Sequence, residues 1–145
     1  MNDPFDLDRF VAAQGQGGTY ESAVAELRSG RKRSHWMWFV FPQIAGLGQS
    51  PISRRYAISS LAEARAYLAH EVLGPRLVEC ARIVAGLNAP SAEDVFGGID
   101  AMKLRSSMTL FARADPTNPV FGEVLEAYFG GEADAATDRL LAGHG

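Results

Sequence analysis

The side chains best suited to binding a ligand or transferring a proton are concentrated in one stretch of the first third of the chain. The basic cluster Arg31–Arg33 runs through Ser34 and His35 directly into both tryptophans, Trp36 and Trp38. Histidine is the side chain that most readily exchanges a proton near neutral pH, so His35 is a candidate catalytic acid or base; a core histidine bonded to a backbone carbonyl is the alternative. Each indole ring can stack on a flat ligand or can simply fill the core.

The stretch that follows, residues 44–56, has the composition of a loop that approaches a ligand. Its glycines, Gly46 and Gly48, leave room for close contact with the backbone. Amide, hydroxyl and guanidinium groups around them can hydrogen-bond a phosphate or another anion. The candidate ligand-binding side chains of this region are Gln43, Ser50, Arg54, Arg55 and Tyr56.

A third candidate segment begins at Asp100, a second candidate for catalytic proton transfer. On a helix, Lys103 and Ser107 share one face beside Ser106, so an ammonium group and two hydroxyls can bind a phosphate. The alternative is that Asp100 caps the helix, the stem of Lys103 packs on the surface and the serines pack closely. A nucleophilic serine is not predicted, because neither the Ser-x-x-Lys order nor a glycine-flanked elbow is present.

Charge is distributed unevenly along the chain. Between Arg28 and Arg82 there are nine basic residues against three acidic ones, whereas from Asp115 to Arg139 six acidic residues stand against one basic residue. A field polarised in this way can steer an anionic small molecule to one side. Alternatively, these charged side chains lie on ordinary solvent-exposed faces of the fold and bind no ligand.

Length and composition restrict the class of protein. The 145 residues, 47% of them hydrophobic, predict a single domain over residues 1–145 with one core. A net charge of −3 makes nucleic acid an unlikely partner. No apolar run reaches the roughly 20 residues of a membrane span, and the start of the chain is acidic, so we expect a cytoplasmic protein without membrane contact.

Metal and cofactor signals are weak in this sequence. Cys80 is the only cysteine, so an internal disulfide is excluded, and its apolar helical surroundings predict an inert core thiol. The three histidines, His35, His70 and His144, share no metal-ligand spacing. We therefore predict no metal and no cofactor.

Helix signals follow one another along the chain. Examples are the capping box Ser60 with Glu63, the apolar stripe that ends at Gly86, the cap Ser91 before a short turn through Phe96, and Asn118 before Pro119, where a helix starts that Gly130 ends. They predict a mainly α fold, a compact domain of about seven short helices. Only Trp36–Phe41 and Tyr56–Ile58 allow strands, so the prediction admits at most a minor strand element around residues 36–41.

Several of these segments resemble a known family. The blocks Ser34–Gln43, Gly46–Ser50, Tyr56–Ile58 and Lys103–Phe111 are similar to the bacterial domain-of-unknown-function family 1810, over nearly the whole chain. The resemblance implies a mainly helical single domain of this size and supplies no catalytic residues. Members are sometimes labelled calpastatin, but such inhibitors are disordered, whereas this aromatic-rich chain can fold by itself.

A looser similarity is to the small helical NADAR proteins, associated with ADP-ribose and nucleotide glycosidic bonds. Our leading hypothesis is a pocket for a phosphorylated or nucleotide-like ligand of the ADP-ribose or NAD type, formed by the block His35–Gln43, the loop Gly46–Tyr56 and the helix face Lys103–Ser107. If it is an enzyme, hydrolysis of a glycosidic or phosphoester bond suits these groups. The alternatives are a protein-interaction module, which includes a homodimer, and a weak binder of single-stranded RNA.

Overall fold

Helices make up the regular structure of the computed structural model, which describes residues 3–143. That range holds ten α-helices, one 3-10 turn (Gln16–Gly18) and no strand: α1 (Asp8–Gly15), α2 (Thr19–Arg28), α3 (Met37–Val40), α4 (Pro51–Arg55), α5 (Leu61–Ala69), α6 (Leu73–Gly86), α7 (Ala92–Phe96), α8 (Gly98–Ala114), α9 (Val120–Phe129) and α10 (Ala135–Gly143). The mainly helical class is confirmed, with more helices than the seven counted from the sequence. Every helix in residues 3–143 is too short or too polar to cross a lipid bilayer.

Local capping signals start several helices where the sequence predicted them. The Ser60 hydroxyl accepts the backbone N–H of Glu63 at 3.2 Å, and the Ser91 hydroxyl accepts that of Asp94 at 3.2 Å. These bonds satisfy amide groups that have no partner inside the helix. The beginnings of α5 and α7 therefore follow from neighbouring residues alone.

The long helix α8 is the centre of the packing, because α5, α7, α9 and α10 all contact it. Its inward side chains Leu104 and Phe111 are fully buried. The Phe111 ring centroid lies 5.4 Å from that of Tyr67 and 5.9 Å from that of Phe121, in the tilted geometry that aromatic pairs favour. The core buries residues 106–111 on every side of α8 and leaves Ile99 and Met102 in its first turns exposed.

The aromatic run Trp36–Phe41, one of the two stretches where a strand was allowed, contains the single helical turn α3. Nearly all its side chains are buried, so the alternation that would separate a strand from a helix is absent from the sequence. Gln14, itself 1% exposed, donates its amide N–H to the carbonyl oxygen of Phe39 at 2.8 Å. A contact with distant α1 therefore holds this turn.

The one extended contact within the described chain is a parallel bridge between Ile44 and Ile58. The Ala45 N–H donates to the Ile58 carbonyl, and the Ile58 N–H donates to the Gln43 carbonyl, both at 2.8 Å. Between these anchors the chain forms α4, where a loop had been predicted, because Ser50 caps it and Pro51 occupies its first position. The bridge fixes where Gln43 and α4 lie.

Candidate functional site

All three candidate segments contribute to an open cavity of about 310 Å³, the first of them only through Gln43. The loop between α3 and α4 forms one wall, the first turns of α8 form the other, and the start of α10 closes one end. The cavity is lined by Gln43, Leu47, Gly48, Ser53, Ile99, Met102, Lys103, Ser106, Asp134 and Ala136.

Lys103 carries the positive charge of this lining. Its ammonium lies 4.6 Å from the centroid of the Trp38 ring and 3.3 Å from Oδ1 of Asp100. The other oxygen of Asp100 lies 2.9 Å from Nζ of Lys32, so one carboxylate holds two ammonium groups. This arrangement fixes the Lys103 ammonium at the edge of the cavity and leaves a net charge of about +1 on the cluster.

Glu26 fixes the segment on the far side of this cluster. Its carboxylate accepts hydrogen bonds from the Arg33 N–H, from the Ser34 N–H and hydroxyl, and from the indole N–H of Trp36. Desolvation opposes the charge of this carboxylate, but the hydrogen bonds from Ser34, Arg33 and Trp36 outweigh it and lower the pKa of Glu26 to about 2. The Lys32 ammonium donates to the carbonyl oxygen of Ser34 at 2.5 Å, so Glu26 acts on it through the residue that it holds, Ser34.

The polar end of the cavity is formed around Asp134. Its Oδ2 accepts the Ser106 hydroxyl at 3.2 Å and the Thr137 hydroxyl at 2.6 Å, and it caps α10 by accepting the Thr137 N–H at 3.0 Å. Oδ2 is thereby engaged inside the fold, whereas Oδ1 of Asp134 makes no hydrogen bond within residues 3–143. The side-chain amide of Gln43 also makes none within these residues. Gln43 is therefore the neutral donor and acceptor most available to a ligand.

A small closed niche adjoins the cavity and shares Gln43, Gly48 and Ser53 with it. Trp38 and Tyr56 line the niche, whose volume of about 10 Å³ holds at most about one water molecule. The two aromatic rings therefore support the wall of the cavity from behind. They do not provide an open stacking platform.

Gly48 allows this wall to form. A β-carbon added at Gly48 would lie 2.4 Å from the Ser53 β-carbon and 2.6 Å from its hydroxyl oxygen. We expect Gly48→Ala to lower the free energy of unfolding by about 1–3 kcal/mol, because the loop and α4 must separate. Urea denaturation measures this loss. Addition of Ser53→Gly removes the clashing atoms and is expected to restore most of the stability; equal instability of the single and double variants would contradict this explanation.

An apolar rim surrounds the mouth of the cavity. Ile99 is 75% exposed and Met102 is 72% exposed, one helical turn apart on α8. Exposed apolar side chains are unremarkable singly, but these two border the same cavity. The cavity thus combines an apolar rim with a fixed ammonium group and a free amide.

Comparison with known proteins identifies the family. The sequence model of a protein family of unknown function (DUF1810) matches residues 4–141. The chain belongs to the DUF1810 family. The resemblance carried by the block Ser34–Gln43 is thereby confirmed. This DUF1810 protein is also similar to a structure described as the conserved hypothetical protein Rv1873 from Mycobacterium tuberculosis, with 58% sequence identity, coverage of 97% of this chain and 99% of that chain, and a TM-score of 0.93. A search of curated proteins finds no match.

In this DUF1810 protein, only part of the predicted site converges. Gln43, Lys103 and Ser106 line the cavity, whereas Trp38 and Tyr56 lie directly behind its wall. These five residues come from three separate segments of the chain.

Other candidate ligand-binding residues lie elsewhere. Trp36 is fully buried, and its indole N–H is used by Glu26. Ser107 is also fully buried, and its hydroxyl has no hydrogen-bond partner in the described structure. The other three lie on or beside the exposed surface of α4 and do not line the cavity: Ser50, Arg54 and Arg55.

The two catalytic candidates are also placed outside the cavity lining. His35 is exposed and makes no hydrogen bond within residues 3–143. Asp100 lies in the first turn of α8 and does not cap it; both of its oxygens contact lysines. Asp100 thus positions Lys103 in the structure.

Sequence reasoning did not single out Glu26, Asp134 or the apolar pair Ile99 and Met102 as part of the site. For Ile99 and Met102, helical periodicity in the sequence could have indicated their exposure. Because α8 buries Ala101 and Leu104, a helical projection places Ile99 and Met102 outside that buried stripe. Glu26 gave no local signal, because its partners lie seven to ten residues further along the chain.

The side chains that could take part in redox or metal chemistry are the thiol of Cys80 and clusters of His, Cys, Asp and Glu. Cys80 is fully buried, and desolvation raises the pKa of its thiol to about 12, as expected for an inert core thiol. Residues 3–143 contain no group of three His, Cys, Asp or Glu side chains placed to hold a metal ion. His144 lies outside the described residues.

Proposed function

We propose that the cavity between α8 and the loop before α4 binds a small phosphorylated or nucleotide-like molecule. The observation that carries this proposal is the Lys103 ammonium, held over Trp38 and against Asp100 at the edge of a cavity that has an apolar rim. Such a group meets an anion without first losing much conformational freedom. The proposal concerns binding, and Asp100 acts in it as a positioning residue.

The polar part of the ligand has two partners in this arrangement. The Lys103 ammonium carries three N–H donors, of which Asp100 engages one side. The remaining donors can contact a phosphate or carboxylate oxygen. The free Gln43 amide can hydrogen-bond a sugar hydroxyl or the edge of a base, because it presents both a donor and an acceptor.

The apolar part of the ligand covers the rim. Ile99 and Met102 expose their side chains beside Leu47, which also lines the cavity. A flat ring laid against these residues removes apolar surface from water on both partners. Methionine suits this role, because its thioether adapts its shape and contacts aromatic rings favourably.

The volume of the cavity limits the size of the ligand portion that it can hold. At about 310 Å³ the cavity is at the small end of the range for ligand pockets, about 300–1,000 Å³. It therefore suits a fragment of mononucleotide size better than a whole dinucleotide. In an ADP-ribose or NAD-type ligand, the second half would lie outside the cavity.

Titration of AMP, ADP-ribose, NAD and inorganic phosphate tests the proposal, with thermal shift and tryptophan fluorescence as readouts. We expect saturable binding of at least one nucleotide. Lys103→Gln should weaken it by about 10-fold to 100-fold, because a charged hydrogen bond is lost. A fluorescence change that disappears in Trp38→Phe would locate the ligand beside Trp38, since Trp36 is sealed in the core.

Arg139→Gln is the matched control. Arg139 is exposed on α10 and makes no hydrogen bond or ion pair within residues 3–143, so its loss changes the net charge without touching the cavity. We expect the control to bind like the unmodified protein. No response to any of the four probes, or equal weakening by both variants, would overturn the proposal.

A further inference from the structure

A second and larger concave surface runs along α6, away from the cavity described above. Its volume is about 680 Å³, more than twice that of the first cavity. It shares no lining residue with the first cavity. The groove is lined by Arg28, Leu68, Gly74, Pro75, Val78, Glu79, Arg82, Ile83, Asp115 and Asn118.

Four elements bring these residues together. The face of α6 forms the base of the groove, the end of α2 contributes Arg28, the end of α5 contributes Leu68, and the connection between α8 and α9 contributes Asp115 and Asn118. Gly74 permits the close approach of α6 to α5, because a β-carbon there would lie 2.1 Å from the Leu68 carbonyl oxygen. The groove is thus a consequence of tertiary packing.

Each carboxylate of the groove has one oxygen engaged within the protein, while Glu79 Oε2 and Asp115 Oδ2 make no hydrogen bond within residues 3–143. Glu79 accepts a short hydrogen bond from the Tyr20 hydroxyl. Asp115 Oδ1 accepts the N–H of Thr117 at 3.1 Å and also its hydroxyl.

The side-chain N–H donors of the groove, in contrast, make no hydrogen bond within residues 3–143. Arg28 and Arg82 are exposed, and neither guanidinium makes a hydrogen bond or an ion pair within residues 3–143. Asn118 uses its Oδ1 to accept the Val120 N–H at 3.1 Å, which leaves its NH₂ group as a donor. Most of the unused hydrogen-bonding capacity of the groove is therefore donor capacity.

Apolar surface lies between these donors. Leu68, Val78 and Ile83 are half-buried, and Pro75 adds a rigid apolar ring. A ligand that contacts both the guanidinium groups and this base must have an apolar body and an anionic end. Burial of such a body is favourable because it removes apolar surface from water.

We propose that the groove along α6 is a second binding site, for a small organic acid with a flat apolar body and a single anionic group. The guanidinium groups of Arg28 and Arg82 bind the anion, and Val78, Ile83 and Leu68 contact the apolar body. A single negative charge is specified because Glu79 and Asp115 border the same groove and repel a polyphosphate. The volume fits a molecule of drug or cofactor size.

The probe for this site is 8-anilinonaphthalene-1-sulfonate, which combines flat apolar rings with one sulfonate and fluoresces when it is removed from water. We expect saturable binding to the folded protein. Arg28→Gln and Arg82→Gln should each weaken binding by about 10-fold, because each removes a charge-assisted hydrogen bond. Val78→Trp should weaken it as well, because the larger side chain occupies the groove.

Two variants separate this site from other surfaces. Arg139→Gln controls for net charge, and Lys103→Gln controls for the first cavity; both are expected to bind the probe normally. Amide chemical-shift changes on titration should cluster at residues 75–83 and 115–118. Absence of saturable binding, equal weakening by Arg139→Gln, or shift changes centred on Gln43 and Lys103 would overturn the proposal.

Inorganic pyrophosphate provides a further comparison. It carries several negative charges and no apolar body, so it should displace the sulfonate probe weakly or not at all. Displacement by pyrophosphate at lower concentration than by benzoate or naphthoate would contradict the proposed ligand class. If Arg28→Gln binds nucleotides as the unmodified protein does, the two sites are independent.

Discussion

Replacement of Arg9 by methionine is expected to lower the free energy of unfolding by about 3–5 kcal/mol, the range observed when one partner of a buried ion pair is removed. The Arg9 guanidinium lies 2.9 Å from Oε2 of Glu63, whose side chain is 3% exposed. Methionine has a similar length but carries no charge and no donor. The variant therefore leaves the Glu63 carboxylate buried without its cation.

Hydrogen bonds to the backbone add to this effect. Besides Glu63, Arg9 donates to the carbonyl oxygens of Phe5, Asp6, Arg55 and Ala57, at distances between 2.6 and 2.9 Å. All five N–H donors of the guanidinium are thus used, and the N-terminal turn is tied to the end of α4 and to α5. Each unsatisfied carbonyl oxygen adds to the cost of the substitution.

The double variant Arg9→Met with Glu63→Gln separates the two contributions. A neutral amide at residue 63 removes the uncompensated charge, so we expect the double variant to be more stable than the sum of the two single losses predicts. Arg139→Met, on the surface of α10, should change stability by no more than about 0.5 kcal/mol. Urea unfolding followed by fluorescence measures the unmodified protein, the two single variants, the double variant and the Arg139→Met control. A loss below about 1 kcal/mol in Arg9→Met would contradict the structural role assigned to this pair.

Glu26→Ala is expected to lower the free energy of unfolding by about 3 kcal/mol, because one carboxylate satisfies four donors in the segment that leads into α3. The indole N–H of the fully buried Trp36 is among the donors left without a partner. Glu26→Gln retains an acceptor oxygen and should cost about 1 kcal/mol. Thermal and urea unfolding measure both losses.

The Glu26 variants should also change the response to pH in a defined direction. The pKa of Glu26 is about 2 in the folded protein and has its ordinary value of 4.5 in the unfolded chain. The unfolded state therefore binds this proton more readily, so the contribution of Glu26 is complete above about pH 5 and is lost as the pH falls towards 2. That contribution is about 3 kcal/mol at most, and partial exposure to solvent reduces it. The stability difference between the unmodified protein and Glu26→Gln should shrink over this interval; a constant difference from pH 7 to pH 3 would contradict the assignment.

Both stability predictions bear on the candidate site. Arg9 holds the Ala57 carbonyl next to the bridge between Ile44 and Ile58, which sets the position of Gln43. Glu26 holds the segment that carries Lys32, whose ammonium shares Asp100 with Lys103. The cavity is therefore supported by two carboxylate networks outside its own lining, a buried one at Glu63 and a partly exposed one at Glu26.

Features that depend on neighbouring residues were predicted correctly from the sequence. The caps of α5 and α7 at Ser60 and Ser91 are hydrogen bonds between residues three positions apart, and the glycine that follows α9 adopts the expected left-handed conformation. The resemblance to the family also needed only a short block, Ser34–Gln43. In each case the information lies within one or two turns of chain.

Features that depend on distant partners were not predictable in the same way. Trp36–Phe41 is buried except for part of Trp38, so its pattern is equally compatible with a strand and a helical turn, and the helical turn is held by tertiary contacts such as the hydrogen bond donated by Gln14. The sequence placed Trp36, Ser107 and Lys103 together as candidates. Only Lys103 reaches the cavity, because the pitch of α8 and the bond to Glu26 turn the other two side chains into the core.

The sequence by itself determined a mainly helical chain, the positions of several helix ends and membership of the DUF1810 family, since each of these is encoded in local capping, periodicity or a contiguous motif. The tertiary structure alone decided which polar side chains share a cavity, which are used up by internal hydrogen bonds, and where α6 leaves a groove. The physical reason is that a side chain becomes available to a ligand only after the fold has assigned partners to its neighbours, and those partners come from elements far apart in the chain.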